Sequence, residues 1–86
     1  MTRRHSWIDA QGHRFSVWLR AERGPRGTSH AMGMLATGPG VMAALRDKVG
    51  RGAIVLDDGS RVLVWRIRRG SGDRAFADCA IVAAPA

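Results

Sequence analysis

The chain has 86 residues and a mass of 9.3 kDa, and its 14 Lys and Arg residues outnumber its 7 Asp and Glu residues, giving a net charge of +7. The apolar fraction of 45% supports a globular fold and excludes a wholly disordered basic tail. Cys79 is the single cysteine, which excludes an internal disulfide framework. We therefore expect one small domain over residues 1–86, located in a bacterial or infected-cell cytoplasm, because no signal peptide or membrane span is recognisable.

Residues 7–20 predict a first β-hairpin. Residues 7–10 and 13–20 alternate in polarity around Gln11-Gly12, which is typical of a two-residue loop. That loop would pair Trp7 with Ser16 and would divide the side chains between two faces. The predicted apolar face holds Ile8, Ala10, Phe15, Val17 and Leu19, and the predicted outer face holds Trp7, Asp9, Arg14, Ser16, Trp18 and Arg20.

The middle of the chain predicts a loop, a strand and a helix. Residues 21–29 are rich in Gly and polar groups, which favours a flexible loop. Residues 30–36 fit a short strand or one helical turn, and Gly33, which disfavours a helix, favours the strand. A helix of about eleven residues is predicted between Pro39 and Gly50, where Val41, Met42, Leu45 and Val49 recur at helical spacing.

Residues 53–68 predict a second hairpin around Asp58-Gly59, a dipeptide favoured in type I′ turns. The predicted core face holds Ile54, Leu56, Leu63, Trp65 and Ile67, and the opposite face holds Ala53, Val55, Val62, Val64, Arg66 and Arg68. Residues 75–83 form a last strand, and 84–86 form a short tail. The expected fold is α+β: a mostly antiparallel sheet of five or six strands, built from two hairpins, with one amphipathic helix packed on one face.

Catalytic, metal and cofactor sites are not predicted. His5, His13 and His30 are scattered without metal-ligand spacing, so surface positions are expected for them. Cys79 is expected to be a buried small hydrophobe. Asp57-Asp58 fits turn chemistry. The glycine-rich stretches 24–27 and 70–72 do not lie between a strand and a helix, as phosphate-binding loops require.

The positive charge is concentrated at the two ends of the chain. Residues 1–26 carry six arginines against two carboxylates, and residues 61–86 carry five against two, whereas residues 27–60 are balanced. The predicted binding residues are Trp7, Arg14, Trp18, Arg20, Arg66 and Arg68. Trp and Arg together suit a protein interface, and they also suit nucleic acids, where arginines bind phosphates and indole rings stack on unpaired bases. The same sequence pattern is expected if the tryptophans only cover the edges of the core beneath arginine side chains.

The sequence leads to three functional hypotheses. The first is a non-catalytic protein that binds an acidic protein or a nucleoprotein complex. The second is direct DNA or RNA binding, and the third is a small basic ribonuclease of the toxin type. In size and composition the chain is similar in general character to small phage or mobile-element proteins, including inhibitors of host nucleic-acid-targeting complexes. No membrane partner is expected, and a homodimer through a sheet edge or face is a further hypothesis.

Overall fold

The computed structural model describes residues 3–23 and 29–83, which form an α+β fold with six antiparallel strands and one helix. In chain order the elements are β1 (Arg4–Ile8), β2 (Arg14–Arg23), β3 (Ser29–Thr37), α1 (Val41–Lys48), β4 (Ala53–Val55), β5 (Arg61–Arg69) and β6 (Arg74–Ala83). The strand order in the sheet is β1-β2-β3-β6-β5-β4. The sheet is nearly barrel-shaped, because edge strand β1 meets the end of β4 at a bridge between Trp7 and Leu56.

The core collects alternate residues of the strands together with two residues of α1. Its buried members are Trp7, Phe15, Val17, Met34, Ala36, Val41, Leu45, Ile54, Leu56, Val62, Val64, Ala75, Ala77 and Cys79. The period-two alternation along β2, β3 and β6 explains this set, because successive side chains of a strand point to opposite faces. The intervening residues of the same strands therefore point away from the core, and we call the surface they form the outer face.

Both hairpin loops contain three residues where the sequence predicted two. In the first, the Asp9 N–H donates to the His13 carbonyl at 2.9 Å and the Gly12 N–H donates to the Asp9 carbonyl at 3.0 Å. In the second, the Leu56 N–H donates to the Ser60 carbonyl at 2.9 Å and the Gly59 N–H donates to the Leu56 carbonyl at 3.0 Å. Each glycine has a φ close to +87°, the left-handed conformation that follows a type I turn in three-residue hairpin loops.

The extra loop residue shifts the first hairpin by one position, so the predicted outward placement of Trp7 is wrong. Trp7 pairs with Phe15, not Ser16, and its side chain is 2% exposed. The two rings lie in the core with centroids 5.0 Å apart. Ile8, predicted to face the core, pairs with Arg14 and is 54% exposed.

The second hairpin shifts in the same way and also contains a bulge. Ile54 pairs with Val62, which is buried, while Leu63 lies outside the core. The register of β5 against β6 changes between Val64 and Arg66, so Trp65 lies at a β-bulge and is 51% exposed. The predictions of Leu63 and Trp65 as core residues are therefore wrong.

The predicted helix and the strand predicted over residues 30–36 are both present, although α1 has eight residues where about eleven were predicted. Helix α1 follows Gly40, which has a left-handed φ of 77°, and no side chain caps its first turn. Gly50, with a φ of 71°, ends the segment as predicted. Residues 30–36 lie within β3. The loop predicted over 21–29 is wrong at both ends, because β2 runs to Arg23 and β3 begins at Ser29. Residues 24–28 and 84–86 lie outside the described residues.

Candidate docking surface on the outer face

The outer face carries a row of side chains that runs across five strands. The strand registers pair Arg4 with Trp18, Trp18 with Leu35, Leu35 with Phe76, and Phe76 with Arg68. Directly paired residues of neighbouring strands share a face, so these five side chains form one continuous row. Its centre is apolar, with Phe76 40% exposed and Trp18 and Leu35 half-buried, and it ends in an exposed arginine on each side. We call it the central row.

A second row lies beside the central row and contains a gap. Arg20 pairs with Gly33, Gly33 with Asp78, and Asp78 with Arg66. Because Gly33 has no side chain and nothing lies within 4 Å of its missing Cβ, the face is hollowed at this point. The resulting groove has a volume of about 450 Å³. Its lining includes Trp18, Arg20, Leu35, Arg68, Phe76 and Asp78.

A third row on the other side of the central row is polar. It runs from Ser6 through Ser16 and Thr37 to Arg74. Arg14 lies on the same face two residues before Ser16, where it pairs with Ile8. The hydroxyl groups and arginines of this row border the apolar centre on the side opposite the groove.

The arginines of these rows give the outer face its positive charge. The set, which we call the arginine face, comprises Arg4, Arg14, Arg20, Arg66, Arg68 and Arg74, and all six side chains are exposed. Among the described side chains, none of these arginines forms an ion pair with a carboxylate. Asp78, half-buried beside the groove, is the acidic member of the rows. Guanidinium groups that no described carboxylate holds are available to carboxylates of another molecule.

The structure brings together most of the residues predicted for binding. Trp18, Arg20, Arg66 and Arg68 all lie on the outer face, and Arg14 lies on it near the first hairpin loop. The two hairpins are not neighbours in the sheet, because β3 and β6 lie between β2 and β5. Three interstrand steps of about 4.8 Å therefore separate the backbones of β2 and β5, a distance of roughly 14 Å. Trp7 is removed from the set by its burial.

Sequence reasoning missed the residues that connect the two hairpins across the face. Leu35 and Phe76 form the apolar centre, Gly33 makes the groove, and Arg4 and Arg74 add charge. A signal for Phe76 was present, because it lies between the small residues Ala75 and Ala77, which alternate with it along β6. The missing information was the pairing of β3 with β6, which places these strands at the centre of the sheet.

Nucleophilic chemistry is not supported at Cys79. Its side chain is buried in the core, as predicted, and burial raises the pKa of its thiol to about 12. The thiolate, which is the reactive form, is therefore absent at neutral pH. The Gly70–Gly72 stretch forms the β5–β6 turn and leads into a strand, so it lacks the helix N-terminus that phosphate-binding loops use. Residues 24–27, the other glycine-rich candidate, lie outside the described segments.

Three comparisons with known proteins find no relative of this chain. A scan against protein-family models, a search of curated proteins and a search of solved structures each find no match to this chain. Within residues 3–23 and 29–83, no helix has the length and apolar character needed to cross a membrane.

Proposed function

We propose that the protein is a non-catalytic binding protein that docks its arginine face on an acidic surface of another protein. The observation that carries the proposal is the central row, in which Trp18, Leu35 and Phe76 form an apolar centre between Arg4 and Arg68. Protein interfaces combine an apolar centre with a polar rim, and their hot spots are enriched in Trp and Arg.

The position of the helix is consistent with this use of the sheet. Val41 and Leu45 of α1 are buried in the same core as the inward residues of the strands. We infer that the helix covers the core side of the sheet and leaves the outer face for a partner. A 450 Å³ groove at Gly33 would accept an apolar side chain of that partner, while the surrounding arginines pair with its carboxylates.

A protein partner fits the surface better than a nucleic acid does. Asp78 lies opposite Arg66 in the register of β5 and β6, in the row that also contains Arg20. A carboxylate at this place repels phosphates, whereas it can accept hydrogen bonds from a protein. Leu35 separates Trp18 from Phe76 in the central row, so the two aromatic rings are not on adjacent strands where successive bases would stack. An acidic protein component of a nucleoprotein complex, as in the inhibitor hypothesis, would offer the same carboxylates to the arginine face.

Charge reversal on the arginine face tests the proposal. Arg20→Glu/Arg68→Glu removes two exposed arginines that flank the groove, and Arg46→Glu/Arg51→Glu makes the same change in net charge on exposed residues outside the sheet. A photo-crosslinker at position 76 would identify the partner in the native host, and the purified partner would then be titrated against each variant. We expect the first variant to lose about 100-fold or more in affinity, as hot-spot arginines do, and the second to lose less than about 5-fold.

The alternatives give different results in the same set of proteins. Binding of purified DNA or RNA, with an affinity that falls steeply with salt and depends on Arg20 and Arg68, would replace the proposal with direct nucleic-acid recognition. Concentration-dependent dimerisation measured by light scattering, abolished by the same substitutions, would identify a second copy of the chain as the occupant. Degradation of RNA by the purified protein would support the ribonuclease hypothesis. Equal affinity of both charge-reversal variants for the partner would overturn docking through this face.

A further inference from the structure

Three potential metal ligands from distant parts of the chain meet where β1 approaches the β4–β5 loop. The Nδ1 atom of His5 lies 3.2 Å from an Asp57 carboxylate oxygen and 3.6 Å from an Asp58 carboxylate oxygen. One ligand atom from each of the three residues lies within 4.8 Å of the others. The sequence predicted a surface position for His5, but its side chain is only 10% exposed.

Two of the three spacings among these ligand atoms match a single small cation. A metal ion with ligands at about 2.1 Å in tetrahedral geometry has ligand atoms about 3.4 Å apart. The two distances from His5 Nδ1, 3.2 and 3.6 Å, lie on either side of that value. One imidazole nitrogen and two carboxylate oxygens favour a transition-metal ion such as Zn²⁺ over Ca²⁺, which takes six to eight oxygens.

The backbone holds the carboxylates in place independently of any ion. One oxygen of Asp58, Oδ1, accepts a hydrogen bond from the Ser60 N–H at 2.9 Å, while the other, Oδ2, faces His5. The Asp57 N–H donates to the Ser6 carbonyl at 3.0 Å, which fixes the loop against β1. The Asp57 side chain is 51% exposed, so water can enter and supply a fourth ligand.

Both carboxylates are ionised at neutral pH, as metal ligands must be. Burial would raise the pKa of Asp57, but a backbone hydrogen bond with Ser6 and the neighbouring His5 ring outweigh it and lower the pKa. Hydrogen bonds with Ser60 lower the pKa of Asp58, against a smaller opposing effect of burial. Two adjacent negative charges repel each other, and a divalent cation between them would remove that repulsion.

We propose that His5, Asp57 and Asp58 bind one divalent transition-metal ion of the zinc class, which joins strand β1 to the β4–β5 loop. The ligands come from both edges of the sheet, so the ion binds only when these edges are together. Its role is structural: it stabilises the folded state by selective binding to it.

Titration of the full-length protein with Zn²⁺ tests the site. After treatment with a chelator and buffer exchange, calorimetry should give one Zn²⁺ per chain. At a free Zn²⁺ concentration of about 100 times Kd, the Tm should rise by about 10 to 20 °C. The affinity for Ca²⁺ or Mg²⁺ should be much weaker.

Conservative variants assign the binding to these residues. Asp57→Asn/Asp58→Asn replaces the two carboxylates with amides of the same size and keeps an oxygen that can accept from the Ser60 N–H, so this variant should fold. We expect it to lose at least 10-fold in Zn²⁺ affinity. Asp47→Asn removes an exposed carboxylate on α1 and should bind as the unmodified protein does. Absence of 1:1 binding in the unmodified protein, or unchanged affinity in the double variant, would overturn the proposal. Neither result bears on the arginine face, whose test uses different residues and a different ligand.

Discussion

Trp7 and Trp18 face opposite sides of the sheet, so shortening them should have very different costs. Trp7 is 2% exposed and packs on Phe15, and replacing a buried Trp with Ala costs about 3–5 kcal/mol of unfolding free energy. Trp18 is half-buried on the outer face, where its row neighbours are Arg4 and Leu35. Losing such cross-strand contacts costs about 0.5–1.5 kcal/mol. The two variants should therefore differ by about 1.5–4.5 kcal/mol of unfolding free energy.

Urea denaturation followed by circular dichroism measures this difference. With an m value of about 1.2 kcal/mol/M, the midpoint of Trp7→Ala should lie about 1–4 M below that of Trp18→Ala. Trp7→Phe retains an aromatic ring in the core and provides a measurement if Trp7→Ala does not fold; its loss should be less than half of that for alanine. Equal midpoints, or a larger loss for Trp18→Ala, would contradict the register and the division of the two faces derived from it.

Three further measurements check other parts of the structure. The pKa values of Asp57 and Asp58 are lowered in the folded state. These carboxylates therefore stabilise the fold above their unfolded pKa near 3.8, and this stabilisation is lost as the pH falls through their folded pKa values. The urea midpoint should drop between pH 6 and pH 3, and the drop should be smaller in Asp57→Asn/Asp58→Asn. Cys79 should resist thiol reagents at pH 8 until urea unfolds the protein, and fast labelling of the folded chain would refute its burial. Gly38→Ala should destabilise by about 1–3 kcal/mol, because Gly38 has a φ of 144° and an added Cβ would lie 2.8 Å from a ring carbon of Phe15; an unchanged Tm would contradict this contact.

The sequence predicted the type and order of the elements because most of them have a clear local signal. Alternating polarity identified the strands, and Val41 and Leu45 at a spacing of four identified the helix. The same alternation placed Trp18, Arg20, Arg66 and Arg68 on one side of their strands. These properties depend on neighbours in the chain, which a single sequence displays.

The hairpin registers were predicted wrongly, because a single loop residue decides them. Gln11-Gly12 and Asp58-Gly59 both resemble two-residue turns, but each glycine adopts its left-handed conformation after a type I turn of three loop residues. In the first loop, one carboxylate oxygen of Asp9 accepts hydrogen bonds from the N–H groups of Gln11 and His13, which reinforces the longer loop. An aspartate that precedes the loop was the signal that could have favoured the correct register.

Long-range relationships required the structure. The pairing of β3 with β6 places Leu35 opposite Phe76, although 41 positions of sequence number separate them. The approach of His5 to Asp57 spans 52 positions. Neither pairing has a local pattern, because each depends on how the two three-stranded halves of the sheet meet.

The edge strands β1 and β4 have five and three residues, and they meet at Trp7 and Leu56. β-augmentation needs a longer line of unpaired main-chain groups, which short edges that meet each other do not offer. Under the proposed function, selectivity for a protein partner would therefore depend on the side chains of the outer face and not on main-chain hydrogen bonds at a sheet edge. A lineage could then acquire a new target by exchanging a few surface residues of the central strands while its interior packing stayed the same.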